Sequence, residues 1–503
     1  IGRNEITARF EVGFPAFGRT INSGELIRIF FDFLPGCVEN VFFYRRQNNA
    51  EIKNRITLAD DQQFIRNELK RLDLVSFVAD GSILPRETGV SDRPMKGSVA
   101  FHSPDSLRIT LNLPGHGPIS GMAIHRGITL IVGGGYHGKS TLLKALESGV
   151  YNHIPGDGRE YVITDETAVK LRAEDGRSIN HVDISLFIRD LPNKKDTTCF
   201  STADASGSTS QAAAVIESIE AGTRAFLIDE DTSATNFMLR DDLMQRIVSR
   251  DKEPITPFIE RARDLYKQAG ISTVLVAGSS GAYFFIADTI IQMDAYRPFD
   301  ITEMVKNACE QEVSKPAIQA PGFKLPTAGR KLAADGTGRA VGAMALNFGD
   351  SRAEAGGESQ EEGENSGRSG RFGNRGGSAS DAGRFERGRG GRREADRNSD
   401  RNTRIKVRVH DKHSFQVAKE PVDLRFVEQL ADSEQTAALA QMVRYCLEKG
   451  LLERCTVQET VATLLKAYEA DGLSVFSDAS YAVMGLAMPR VQEIYACLNR
   501  FRG

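Results

Sequence analysis

Apolar and polar positions along residues 101–312 follow a pattern that predicts strands and helices in turn. Residues 127–132 form a short β-branched run after a glycine, which is typical of a buried strand. Residues 141–147 follow with strong helix formers at helical apolar spacing. Further strands are predicted at four apolar stretches: 106–111, 225–231, 272–277 and 287–293. This alternation predicts an α/β core.

Residues 1–100 show a less regular pattern of short apolar runs separated by turns. Asp60 is a candidate cap for a helix through Leu72, because apolar side chains recur there at helical spacing. Residues 77–85 predict a strand, a turn and a second strand. Together these elements predict an N-terminal α+β accessory domain over residues 1–100.

Residues 405–503 again have the pattern of a folded domain. Residues 404–409 alternate as a strand with basic side chains on one face. Thr456 and Glu459 form a capping box in front of an apolar helix, and Pro489 is predicted to start a last helix. The pattern predicts a C-terminal, mostly helical domain.

The segment between the core and this domain, residues 313–404, is predicted to be a linker. From residue 366 onward it consists largely of Gly, Arg, Ser, Asn and Asp, a composition that cannot bury an apolar core. Arg-Gly-Gly occurs at 375–377 and at 389–391, and tracts of this type bind single-stranded nucleic acid through charge and stacking. A plain flexible linker is the alternative, because arginine-rich tracts also serve that purpose.

Composition narrows the possible functions. The 503-residue chain is 40% hydrophobic and has a net charge of −3, so any nucleic-acid binding must come from a local basic patch. Its six cysteines are scattered without a Cys-x-x-Cys pair, which argues against a zinc site and a disulfide framework. No apolar run reaches transmembrane length, and we expect no membrane association. The chain starts at Ile1 rather than Met, which suggests a processed or trimmed chain.

Residues 133–141 carry the clearest chemistry. Their sequence, Gly-Gly-Gly-Tyr-His-Gly-Lys-Ser-Thr, matches the phosphate-binding P-loop, and it lies between a predicted strand and a predicted helix. Lys139 is predicted to reach the β- and γ-phosphates, and the Ser140 hydroxyl to bind Mg²⁺. The predicted ATP or ADP contacts in this loop are Gly133, Gly135, His137, Gly138, Lys139, Ser140 and Thr141.

Two adjacent acids end the strand predicted at 225–231. Asp229 fits a carboxylate that holds Mg²⁺, usually through water, and Glu230 fits the general base that orients the attacking water. We therefore predict Glu230 and Lys139 as the catalytic residues. Residues 205–211, a hydroxyl-rich loop before a helix predicted at 212–221, form a candidate anion site, although such loops often only cap a helix.

These motifs resemble the predicted ABC-class ATPases, a family of proteins without transporter domains. The matching stretches include residues 12–19, 77–81, 131–143, 175–178, 205–211 and 228–238. The resemblance implies an ABC-type P-loop fold and a homodimer in which Ser206, Gly207 and Ser208 of one copy contact the nucleotide of the other. Compared with transporter domains, the Q-loop glutamine is absent, and Asp183 is the candidate to replace it as a metal ligand. The switch histidine is absent as well, which suggests slow turnover.

With its Arg/Gly insertion, the chain resembles the family member associated with a kinetoplastid mitochondrial RNA-binding and editing complex. That resemblance, rather than composition, implies the mitochondrial matrix, RNA editing and partner subunits of an RNA-processing complex.

Three functions remain open from the sequence. The first is an ATP hydrolase that acts on or with RNA. The second is a nucleotide-gated RNA-binding scaffold with vestigial hydrolysis, which the missing Q-loop glutamine and switch histidine favour. The third is a P-loop kinase for a small molecule, against which the 206–211 loop and the acid pair argue.

Overall fold

A computed structural model describes residues 8, 10, 12–89, 91–240, 247, 252–278, 280–312, 320–326, 329–332, 405–477 and 484–502. The described residues up to 332 and from 407 to 502 belong to one compact unit. The Arg/Gly tract of residues 366–404 lies outside the described residues, so its predicted disorder stays a prediction.

A six-stranded sheet forms the centre of this unit, with the strand order β14-β13-β6-β12-β11-β8. Every pairing in it is parallel except that of β13 with β14. Its strands are β6 (Ile128–Val132), β8 (Val169–Leu171), β11 (Ala225–Asp229), β12 (Ser272–Val276), β13 (Thr289–Asp294) and β14 (Arg297–Asp300). Since neighbouring strands run in the same direction, the carboxyl ends of β6, β12 and β11 meet at one edge. The predicted α/β core is confirmed.

Both faces of this sheet are covered, because successive residues in a strand point to opposite sides. The helices of the core are α4 (Lys139–Ser148), α5 (Gly207–Glu220), α6 (Thr235–Met238), α7 (Phe258–Ala269) and α8 (Thr302–Gln311). On one face of the sheet, Leu130 and Phe226 pack with α5 and α7. On the other face, Ile131 and Leu227 pack with α4 and with strands of a second sheet.

The second sheet is antiparallel and has the order β4-β5-β3-β7. It consists of β3 (Leu74–Ala79), β4 (Arg108–Leu113), β5 (Gly117–His125) and β7 (Val162–Thr164). Helix α3 (Asn49–Arg71) packs on it through Ile65 and Leu69. Because β3 pairs with β5 and β7, this sheet spans the predicted boundary at residue 100. The division into domains at 100, 312 and 404 stays a prediction.

Two local predictions in this region are wrong. Helix α3 does not start after Asp60: its cap is Asn48, whose side chain accepts from the Glu51 amide, and Asp60 is an exposed residue inside the helix. The apolar pattern near Asp60 marks only the buried half of a longer helix. The second strand predicted in residues 77–85 does not form, since residues 82–85 have no strand pairing.

Short elements complete the N-terminal part and the core. They are β1 (Ala16–Phe17), β2 (Thr20–Ile21), α1 (Ser23–Arg28), a π-helical turn (Ile29–Phe33), α2 (Leu34–Phe42), β9 (Ile179–Val182) and β10 (Phe200–Thr202). Strand β1 pairs with β2, and β9 pairs with β10, both antiparallel. None of the residues of α1, α2 or the turn between them is buried.

The C-terminal region combines a small antiparallel sheet with helices. The strands are β15 (Val407–Asp411), β16 (Ser414–Val417) and β17 (Glu420–Asp423), and the helices are α9 (Ser433–Lys449), α10 (Leu451–Arg454), α11 (Val457–Asp471) and α12 (Val491–Arg500). The predicted capping box of Thr456 and Glu459 is confirmed. Helix α12 starts at Val491 behind Arg490, two residues later than the predicted start at Pro489.

Among the described residues, no helix is long and apolar enough to span a membrane.

Candidate functional site

The P-loop occupies the junction between β6 and α4. Gly133 and Gly138 have φ values of 139° and 97°, which favour glycine. A side chain at Gly133 would collide with the Met293 carbonyl oxygen, and one at Gly138 would approach Cδ1 of Tyr296 to 2.7 Å. Since α4 begins at Lys139, the amides of its first turn are directed at the loop. The positive φ values at the two glycines and the close packing against the β13–β14 turn therefore shape a loop suited to binding phosphate.

Lys139 crosses this loop. Its Nζ donates to the carbonyl oxygens of Gly133, at 2.6 Å, and Gly134, at 2.9 Å. The ammonium group thus lies over the loop, where it can form an ion pair with a terminal phosphate. Ser140 is exposed and Thr141 is half-buried next to it.

His137 is held by the hairpin turn between β13 and β14. Its Nδ1 lies 2.8 Å from Oδ1 of Asp294 and 3.0 Å from the amide nitrogen of Ala295, and its carbonyl accepts from the Tyr296 amide. A single Nδ1 cannot accept from Ala295 and donate to Asp294 at once, so the tautomer selects one of these bonds. The visible role of His137 is to hold the P-loop to this turn, and its contact with nucleotide stays a prediction.

Tyr136 is a feature of the site that sequence reasoning missed. It has a φ of 65° and a 99% exposed side chain at the tip of the P-loop. A tyrosine in the left-handed region is uncommon and carries local strain, which is frequent at ligand-binding sites. The motif alone shows that the position is variable, whereas the strain and exposure appear only in three dimensions.

The acid pair lies at the carboxyl end of β11, and β12 separates this strand from β6. Asp229 is 7% exposed, and its Oδ1 accepts from the Asp231 amide at 3.2 Å. Oε2 of Glu230 accepts from the Gly278 amide at 2.7 Å and so links the ends of β11 and β12. Both carboxylates therefore have fixed positions at the sheet edge that also carries the P-loop.

Hard oxygen ligands at this edge fit Mg²⁺, which commonly keeps several waters and takes only one or two protein ligands. Asp229 and Ser140 provide a carboxylate and a hydroxyl of this type. Within the described ranges, no group of three His, Cys, Asp or Glu side chains is placed to hold a metal. Asp183 is half-buried after β9, and its Oδ1 accepts from the Ser185 amide at 2.9 Å. Its predicted role as a metal ligand remains a prediction.

Burial also fixes the protonation state of Tyr283, which is 1% exposed. Desolvation and then the charge of Glu230 raise the pKa of the Tyr283 phenol well above its ordinary value. The neutral hydroxyl donates to the Met238 carbonyl at 2.7 Å. Tyr283 is thus a structural support of the segment behind the acid pair.

Residues 205–211, which we call the signature loop, lie partly inside a helix. The predicted helix start at Ala212 is wrong, because α5 begins at Gly207. Ser210 stabilises this earlier start by donating to the Gly207 carbonyl at 2.8 Å. Ser206 is exposed and Ser208 is half-buried. Their predicted contact with a nucleotide stays a prediction.

Gln211 is a second residue whose role the sequence did not reveal. Its side chain is fully buried, donates to Oγ of Ser233 at 3.0 Å and accepts from the Ala234 amide at 2.9 Å. Ser233 in turn donates to the Asp229 carbonyl at 2.9 Å. Gln211 therefore ties the signature loop to the turn that follows the acid pair.

We expect Gln211→Ala to lower the free energy of unfolding by about 1–3 kcal/mol, because it leaves the Ala234 amide without its acceptor and removes the hydrogen bond that the Ser233 hydroxyl accepts. Chemical denaturation measures this change. Gln268→Ala is the matched control, since that glutamine is exposed and donates to Asp264 within its own helix. Equal stability of the two variants would contradict the structural role of Gln211.

The strand, glycine loop, helix and acid pair define a P-loop nucleotide-binding domain. A sequence profile described as "ABC_ATPase: P-loop domain" matches residues 48–325, which is more than half of the chain. The chain therefore belongs to the ABC-class P-loop ATPases. Residues 1–45 match "ATPase of the ABC class N-terminal", and residues 406–503 match "MRB1590 C-terminal domain". These matches confirm the resemblance inferred from the motifs.

Individual relatives are more distant. The uncharacterized protein MJ1628 of Methanocaldococcus jannaschii is 31% identical over 239 residues, which are 46% of this chain and 51% of MJ1628. The chain thus spans about half the length of this curated relative.

Two solved structures are also similar. One is cbiO1 from Clostridium perfringens, part of the ABC transporter complex cbiONQ, at 13% identity and a TM-score of 0.29, covering 48% of this chain and 93% of cbiO1. The other is the ADP conformation of MJ1267, an ATP-binding cassette of an ABC transporter, at 13% identity and a TM-score of 0.26. The match covers 39% of this chain and 88% of MJ1267.

Proposed function

We propose that this chain binds ATP together with Mg²⁺ and hydrolyses it. The observation that carries the proposal is the common sheet edge, where the P-loop follows β6 and the acid pair ends β11. An in-line attack of water on the γ-phosphate requires two parts. The first is a loop that holds the phosphate chain, and the second is a carboxylate at the end of a nearby strand.

Each residue has a separate task in this mechanism. Lys139 and the amides at the start of α4 hold the phosphates and offset the charge that develops on the γ-phosphoryl oxygens. Glu230, fixed by the Gly278 amide, orients the attacking water and takes its proton. Ser140 and Asp229 would hold Mg²⁺, which would neutralise negative charge on the phosphates.

The direct test is multiple-turnover phosphate release from ATP by the full chain, with Mg²⁺ and with an excess of EDTA. We expect turnover that depends on Mg²⁺. Binding of ATP without any turnover would favour the alternative, a nucleotide-gated scaffold.

We also propose that two copies of the chain form the working ATPase, with the signature loop of each completing the site of the other. The exposure of Ser206 supports this arrangement. In the described part of the chain, the signature loop bonds to residues 174–177 and 233–238 and not to its own P-loop. Light scattering with and without ATP and Mg²⁺ tests it.

We further propose that the ATPase acts on or with RNA, among other subunits of a mitochondrial RNA-processing or editing complex. The C-terminal match to the MRB1590 domain supports this setting. The basic side chains on one face of the β15 region give a second, folded candidate for RNA contact: Arg408 and His410 are exposed on that edge strand, and Lys406 precedes them.

The Arg/Gly tract predicts weak, sequence-tolerant RNA binding. Replacing residues 366–402 with a Gly/Ser linker of equal length should lower the affinity for single-stranded RNA. The slope of log affinity against log salt should become shallower by roughly 0.7 for each RNA phosphate that the tract neutralises in the unmodified chain. Titrations at several salt concentrations measure both quantities.

The matched control replaces the acidic run at residues 358–364 with Gly/Ser, which removes charge of the opposite sign. That variant should keep or raise the affinity. If the first replacement changes neither affinity nor slope, the tract is only a tether and RNA contact belongs to the folded part or to a partner.

A further inference from the structure

Residues 173–177, which we call the bridge segment, follow β8 and hold the signature loop from one side. The Glu174 amide donates to Oγ of Ser210 at 2.9 Å. The Gly176 amide donates to the Ala205 carbonyl at 2.8 Å, and the Ala205 amide donates to the Arg177 carbonyl at 3.0 Å. These three bonds fix the signature loop relative to the bridge segment.

The bridge segment also contacts the turn that follows the acid pair. The Ala173 amide donates to the Thr232 carbonyl at 3.0 Å. One five-residue segment therefore supports both the signature loop and the turn behind Asp229 and Glu230.

The C-terminal helix α12 also contacts the bridge segment, through Arg500. Arg500 forms a bidentate ion pair with Glu174, with Nε to Oε2 at 3.1 Å and Nη2 to Oε1. Their side chains are only 10% and 6% exposed. Arg502 adds a hydrogen bond from its Nη2 to the Ala203 carbonyl at 3.3 Å, next to the signature loop.

Glu174 is charged in this setting. Burial acts to raise the pKa of its carboxyl group, but the charges of Arg500, Arg177 and Arg172 and the hydrogen bond from Arg500 together hold that pKa below its ordinary value. A buried ion pair adds little net stability compared with apolar packing, whereas its bidentate geometry fixes position and direction. The pair is thus better suited to orient the bridge segment than to stabilise the fold.

We propose that Glu174 and Arg500 are positioning residues through which the C-terminal domain sets the position of the signature loop. The effect on turnover rests on the proposed ATPase function, since the signature loop acts on nucleotide held by a second copy. Loss of the pair should therefore lower ATP turnover and leave ATP binding to the P-loop unchanged.

Amide hydrogen exchange on the full chain tests the positioning itself, whether or not the chain hydrolyses ATP. In Arg500→Met, peptides that contain residues 174–177 and 205–211 should exchange at least about tenfold faster, because bonds of the bridge segment open more often. Peptides that contain residues 133–141 should be unchanged.

Arg330→Met is the matched control. Arg330 forms a bidentate pair with Glu220, at 2.6 Å and 3.1 Å, in which the side chains are 6% and 13% exposed, and it also contacts Asn499 of α12. Glu220 lies at the far end of α5 from the signature loop. This variant should lose stability without faster exchange at 205–211.

If the single substitution unfolds the chain, the double variant Glu174→Gln/Arg500→Met replaces it. In this variant neither charge of the pair is left buried without its partner. It should show the same faster exchange. Unchanged exchange in a folded variant, or equal acceleration in the Arg330 control, overturns the proposal.

Kinetics test the consequence. We expect kcat for ATP to fall about 10- to 100-fold in the double variant, as a small misplacement of a loop can produce, while the Kd for ATP stays within about twofold. Faster exchange with unchanged kcat overturns the link to turnover. If the wild type itself does not hydrolyse ATP, the proposed function fails and hydrogen exchange alone decides the positioning role.

Discussion

Lys139→Ala should remove most of the affinity for ATP. The Lys139 ammonium lies over the P-loop, 2.6 Å and 2.9 Å from two loop carbonyl oxygens, where it can serve as the counter-charge to the terminal phosphates. Truncating one partner of a desolvated charge pair costs about 2–5 kcal/mol, so the Kd for ATP should rise at least about 30-fold. A fluorescence titration with a labelled nucleotide measures the change.

Lys144→Ala is the control for this experiment. Lys144 lies on the same helix, α4, outside the P-loop motif, and its side chain is exposed. The Lys144→Ala variant should bind ATP with the same Kd as the wild type. Unchanged affinity in Lys139→Ala would refute the P-loop assignment.

Glu230→Gln should give the largest loss of turnover with the smallest change in shape. The amide oxygen of glutamine can still accept from the Gly278 amide, so the link between β11 and β12 is kept. Glutamine cannot take a proton from water, and loss of a general base lowers kcat by about 10²- to 10⁴-fold. Phosphate release under multiple turnover measures kcat, and the Kd for ATP should stay close to that of the wild type.

The same variant tests the proposed dimer, because ATP that is bound but not hydrolysed should keep two copies together. Light scattering should show twice the monomer mass with ATP and Mg²⁺. Asp231→Asn is the control, since Asp231 is the exposed neighbouring acid and should behave like the wild type in both assays. A monomer mass under all conditions would refute the ABC-type mechanism, and normal turnover in Glu230→Gln would refute the base assignment.

The strand, loop and helix that carry the P-loop motif were largely predictable from the sequence, because their geometry is encoded locally. The strand at Ile128–Val132, the glycine loop and the helix at Lys139–Ser148 are adjacent in the chain, and each depends on steric preferences of its own residues. The capping box of Thr456 and Glu459 was predictable for the same reason, since both of its bonds join residues three positions apart.

Helix starts were less predictable where long-range packing decides them. Asn48 caps α3 twelve residues before Asp60, and the buried residues of this helix begin only at Leu58. Helix α5 includes the hydroxyl-rich residues from Gly207 onward, because the bridge segment and Ser233 provide hydrogen-bond partners for Ser210 and Gln211 that no local pattern reveals.

By itself, the sequence determined the class of protein and the order of its motifs, since these follow from local residue chemistry. Only the tertiary structure decided which residues support them. Glu174 and Arg500 are 326 positions apart, and His137 meets Asp294 only because β6 and β13 pair side by side. Contacts of this kind depend on strand order and on burial of the whole chain, and these are set by the summed packing of many distant residues.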